Sequence, residues 1–198
     1  QTHRGHHIKS RARESRIQFN RIEDGETGAS SYLVDFAQGG RAFLIGNELH
    51  QGPNARNVGM VSFGAEKNPH SENVLFVVNN TFVTDRANSV FLKIRHAASS
   101  MAIVNNIFAG TGELGAEEIS VTDNLIVSSP AESPFVSWEE RDFSLAASAS
   151  AIDAGRVVSD YEGVSLTPAL EVQRVRGTAP RPKAGPIDIG AFEYRSAN

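Results

Sequence analysis

Five segments of the chain align on a single asparagine: RIQFNRI at Asn20, LIGNEL at Asn47, VVNNTF at Asn80, IVNNIF at Asn106 and VTDNLI at Asn124. Three residues before each Asn stand Ile17, Leu44, Val77, Ile103 and Val121, and two residues after stand Ile22, Leu49, Phe82, Phe108 and Ile126. Successive Asn are 27, 33, 26 and 18 residues apart. Side chains of a straight strand alternate between faces, so the two columns would point opposite ways. Both columns are apolar, and both point inward only if the chain bends at the Asn. Asn tolerates the left-handed backbone of such a bend, and its amide bonds nearby backbone or the Asn stacked above it. Equivalent bends in register describe a solenoid. The alternative is a sandwich with Asn in its turns, which would space strands about 8–12 residues apart.

Each interval also holds a second strand-like run: HHIKSR (6–11), YLVDF (32–36), VGMVSF (58–63) and VFLKIRH (90–96). A variable loop between Gly64 and Asn73 accounts for the longest interval. After Asn124 the pattern stops, and DFSLAASASAIDAG (142–155) and GPIDIGAFEY (185–194) follow around a Pro/Arg/Gly-rich stretch. Solenoids need atypical terminal segments to close the core. The expected organisation is one all-β domain, with rungs over 1–127 and a final rung remnant and cap over 128–198.

A formal net charge of -4 and a pI near 5.9 argue against a nucleic-acid binder, which would carry a basic patch or stripe. The absence of Cys excludes disulfides and thiol chemistry. No apolar run approaches the roughly 20 residues of a membrane-spanning helix. Residues 1–10 lack the apolar core of a signal peptide and the chain begins without Met, which fits a processed chain or one that starts partway through a longer protein. HHIKSR reads as an internal rung, so further rungs or an oligomeric partner are expected to cover that end.

HxIKSR followed by NRI, IGNELHQGPN, VVNNTF, VNNIF, SxAIDAG and the closing DIGAFEY resemble bacterial right-handed parallel β-helix repeat proteins of the pectate lyase-like superfamily. The resemblance covers nearly the whole chain. It implies that fold, a secreted, periplasmic or cell-surface location, and an acidic polysaccharide as partner, bound on the flat face of one stacked sheet. With Ile8, Val34, Val61 and Ile94 inward, alternation puts His7, Lys9 and Arg11, Leu33 and Asp35, Met60 and Ser62, and Phe91, Lys93 and Arg95 outside. The expected face is a patch of cations, a carboxylate and apolar platforms.

A lyase of a uronic acid polymer must neutralise the sugar carboxylate, remove the adjacent proton and protonate the leaving oxygen. IKSR resembles the Lys-Ser strand of chondroitinase B and alginate lyase type enzymes, which implies Lys9 as the base. Arg11 beside it would lower the Lys9 pKa. His7, Asp35, Ser62, Lys93 and Arg95 are the candidate substrate contacts. Those enzymes carry an Arg on the next rung; here YLVDFAQGG has Asp35 and no Arg. KIRH (93–96) lies two further rungs along, out of reach of Lys9. Glu23, Asp24 and Glu26, with Asp35, are a candidate Ca²⁺ loop, although the spacing is not that of an EF-hand. His3, His6 and His7 have no second cluster of metal-ligand spacing. Asp35 has only the distant Glu66 as a stacked carboxylate partner for glycoside hydrolysis. The competing function is a non-catalytic structural or adhesive surface module.

Overall fold

A computed structural model of the chain describes residues 4–115, 123–183 and 185–196. The fold is all-β, with a short 3-10 turn at Pro130–Glu132 and, among the described residues, no helix long and apolar enough to cross a membrane. The chain visits three parallel sheets in rotation. The first contains β1 (Ile8–Ser10), β4 (Val34–Phe36), β7 (Gly59–Phe63) and β10 (Val90–Ile94). The second contains β2 (Glu14–Gln18), β5 (Arg41–Ile45), β8 (Val74–Val78) and β11 (Ser100–Val104). The third contains β3 (Arg21–Glu23), β6 (Glu48–Gln51), β9 (Thr81–Thr84), β12 (Ile107–Ala109) and β13 (Leu125–Val127). Each strand pairs with those of the preceding and following passages, so three consecutive strands make one layer.

The Asn residues stand at the corner between the second and third sheets. Asn47 Oδ1 accepts bonds from the backbone N–H and the side-chain amide of Asn20, at 3.0 and 3.1 Å. Asn80 does the same for Asn47, Asn106 for Asn80 and Asn124 for Asn106, all at 2.9–3.0 Å. Ile17, Leu44, Val77 and Ile103 share one buried core with Ile22, Leu49, Phe82 and Phe108. Ile126 is 39 % exposed, and Val121 lies outside the described residues. The left-handed backbone falls one residue earlier than expected, on Phe19, Gly46, Asn79 and Asn105 rather than on the ladder Asn. That placement frees the ladder Asn to enter the next strand with its amide aimed along the stack.

The tail does not merely close an end; it lies along two flanks. The central strands β5 and β8 of the second sheet are apolar on both faces, as strands covered on both sides are. Their outer residues Phe43, Ile45, Phe76 and Val78 cluster with Val164 and Leu166. Outer residues Val83, Ile107 and Ala109 of the third sheet cluster with Phe135, Phe143 and Leu145 from the antiparallel pair β14 (Phe135–Ser137) and β15 (Asp142–Leu145). A second antiparallel pair, β16 (Leu170–Val172) and β17 (Thr178–Pro180), follows. The side-chain amides of the corner Asn79 and Asn105 donate to the Asp188 and Arg156 carbonyls of the tail, at 2.8 Å each, and fasten it. Among the described residues, no hydrogen bond, ion pair or apolar cluster joins the tail to the outer side chains of the first sheet.

Candidate binding face

The first sheet therefore keeps an outer face that the tail does not cover. Its register stacks Lys9, Asp35, Ser62 and Lys93 in one column, one residue per layer. At about 4.8 Å per strand, the two lysines stand roughly 14 Å apart along it. Ile94 pairs with Phe63, so Leu92 rather than Ile94 shares the inward column with Ile8, Val34 and Val61.

The expected apolar platforms are absent from this face. Leu33, Met60 and Phe91 are buried in the central core, because the chain bends at the start of each short strand and turns these positions inward. His7 occupies the same register and turns away too, its Nε2 2.9 Å from Asp24 Oδ1 at the end of β3. Its neighbour His6 takes the outer place. The His6 ring stacks on Tyr32 with centroids 5.4 Å apart, and its Nε2 lies 3.7 Å from Asp35. Burial lowers the His6 pKa, which outweighs the pull of Asp35. Gly59 leaves space beside Tyr32: a Cβ there would sit 2.6 Å from the Tyr32 ring and 2.9 Å from Lys93 Cδ.

The two ends of the column differ in charge. Lys9 Nζ lies 2.9 Å from both Asp35 and Glu66, and Glu66 also takes a two-pronged contact from Arg11 at 2.7 Å. Glu66 is thus joined to Asp35 through Lys9 instead of being distant from it. Its bonds to Arg11, then Lys9, hold its carboxyl down at about 2. The bond from Glu66 raises the Lys9 pKa, with Asp35 adding to it, so the expected lowering by Arg11 is reversed. A lysine held by two carboxylates is a poor proton acceptor, which weighs against Lys9 as the base.

At the other end, Lys93 and Arg95 make no ion pair or side-chain hydrogen bond among the described residues. Burial lowers the Lys93 pKa, and the charges of Arg95 and Arg86 push it the same way. Arg86 is held by the backbone oxygens of Ala55 and Ala87, at 3.0 and 2.6 Å, with no carboxylate. Between the two ends lie two buried oxygens without a hydrogen bond, Asp35 Oδ1 and Ser62 Oγ, on residues 2 % and 0 % exposed. Buried polar atoms are nearly always bonded, so these two mark a place for an enclosed water.

The acidic loop does not assemble as a Ca²⁺ site. Asp24 is buried against His7 and the Gly52 N–H, Asp35 is held by Lys9, and Glu23 contacts Arg21. No group of three or more His, Asp or Glu among the described residues is placed to hold a metal ion; His3 lies outside those residues. Sequence reasoning missed His6, Tyr32 and the bridging role of Glu66. The first two adjoin named positions and escaped because alternation was extended past the strand ends. No protein-family model matches the chain, and no curated protein or solved structure matches it.

Proposed function

We propose that the three-sheet coil is a right-handed parallel β-helix of the pectate lyase-like kind, and that it holds an acidic polysaccharide along the first sheet. The observation that carries this reading is the pair of unmatched cations, Lys93 and Arg95, on the face that the tail leaves open. Cations without carboxylate partners bind sugar carboxylates by charge-assisted hydrogen bonds. The His6–Tyr32 stack offers a flat surface for a sugar ring. An extracytoplasmic location goes with such a partner.

Binding of polygalacturonate, alginate and neutral dextran to the intact chain tests it. Polyuronates are expected to bind, more weakly as salt rises, and dextran much less. The double change Lys93→Ala with Arg95→Ala is expected to lower polyuronate affinity about tenfold or more, and Lys9→Ala less. Equal binding of dextran, or an unchanged affinity in the double variant, would overturn the reading and favour a stiff structural module.

Burial of Lys93, with the cations Arg95 and Arg86 crowding it, pushes its pKa down and favours a second reading, β-elimination. Lys93 takes the proton beside the uronate carboxylate, Arg95 counters the charge there, and water protonates the leaving glycosidic oxygen. Ultraviolet absorbance of an unsaturated product, present in the wild type and lost in Lys93→Ala, checks it.

A further inference from the structure

A separate cleft of about 300 Å³ opens between the third sheet and the returning tail. Glu48 from β6 forms its floor, and Arg141, Asp142, Glu171, Arg174 and Phe192 stand around it. Two groups in it lack a hydrogen bond, although Glu48 keeps an ion pair with Arg21. Glu48 is 3 % exposed, and Arg21 Nε lies 3.0 Å from its Oε1 but out of line, so neither atom has a hydrogen bond. The Arg141 guanidinium makes no hydrogen bond or ion pair among the described residues. Arg141 is held in the left-handed region at φ 55°, its N–H bonded to Trp138 O at 3.0 Å. Non-glycine residues in that region are costly and concentrate at functional sites. The other charges are matched: Asp142 with Arg174 at 2.8 Å, and Glu171 with Arg195.

We propose that this cleft binds a single sugar-acid unit, with its carboxylate on Arg141 and a ring hydroxyl on Glu48. The volume lies at the small end for ligand pockets and suits one ring rather than a chain. Phe192 supplies an apolar wall for the ring's C–H face. A carboxyl with no aligned partner donates to or accepts from a hydroxyl, and a guanidinium without a carboxylate contact, lining the same cleft, selects an anion. Burial first, then Glu23 and Asp142, raise the Glu48 pKa to about 7 against the pull of Arg21 and Arg174. With Glu48 protonated, the lining groups Arg141, Arg174 and Arg195 outnumber Asp142 and Glu171, and a monoanion balances them. The site shares no residue with the first-sheet face and stands without it.

Titration calorimetry of the intact chain with galacturonate and with galactose tests the proposal. Galacturonate is expected to bind at about pH 6 and several-fold more weakly at about pH 8, where ionised Glu48 repels it. Galactose, lacking the carboxylate, is expected to bind about tenfold more weakly. Arg141→Ala should cost about tenfold for galacturonate. Glu48→Gln, which keeps the shape and stays neutral, should bind at both pH values alike. The double variant Lys93→Ala with Arg95→Ala should bind galacturonate as the wild type does, which separates this site from the first sheet. No heat at saturating galacturonate, equal binding of galactose, or an unchanged affinity in Arg141→Ala would each overturn it.

Discussion

Asn80 shows how much one side chain carries. Its Oδ1 accepts from the Asn47 N–H and amide, and its own amide reaches Leu44 O at 2.8 Å and Asn106 Oδ1 at 3.0 Å. All of this is buried, so nothing replaces a lost partner. Asn80→Ala orphans at least the Asn47 N–H and the Leu44 carbonyl, at about 1–3 kcal/mol each. The expected loss is about 3–5 kcal/mol in urea unfolding. Asn20 is half-buried, and its Oδ1 accepts no bond within the ladder. Asn20→Ala is expected to cost about 1 kcal/mol. Equal losses at the two positions would mean that the stacked amides are not what stabilises the corner.

The same corner, taken as an element, depends on the residue before the Asn. Gly46 sits at φ 64°, and a Cβ there would lie 2.8 Å from Phe19 Cδ1 in the neighbouring layer. Gly46→Ala adds that clash to the left-handed penalty of about 1–2 kcal/mol, so about 2–3 kcal/mol is expected. Gly177, at φ 88° with nothing within 4 Å of a Cβ, pays the backbone penalty alone. Its Ala variant is expected to lose about half as much, and thermal unfolding of the two separates packing from backbone cost. The corners and the four strands of the first sheet were legible in the sequence because one Asn sets the register of everything near it. The facing of His7, Leu33, Met60 and Phe91 was not, since strands of three to five residues bend before a period of two can extend. The charge state of Lys9 was also hidden. It depends on Glu66, 57 positions on, which a loop of the third layer brings back over the first. RAFLI and VLFVV did carry a readable signal of burial on both faces, but not which distant segment covers them.

At the scale of the molecule, the tail decides which surface stays available. By covering the apolar flanks it leaves the first sheet open, and where it crosses the third sheet it encloses Glu48 instead of an apolar side chain. That carboxyl should leave a mark on stability. Its folded pKa, about 7, lies above the ordinary 4.5, so between those values the folded chain holds a proton that the unfolded chain has released. The stability it contributes is full below 4.5, falls as pH rises through the window, and is gone above 7. The full span corresponds to about 3 kcal/mol as an upper figure, with the pull of Arg21 already included in the folded pKa. Glu66 acts in the opposite sense: its depressed pKa adds stability above 4.5 that is lost as pH falls toward about 2. Urea midpoints between about pH 5 and pH 8 should therefore fall in the wild type, and Glu48→Gln should flatten that slope. Glu66→Gln should instead remove part of the loss below about pH 4 and leave the upper slope in place. A wild-type slope that persists in Glu48→Gln would place the titrating group elsewhere than beneath the tail.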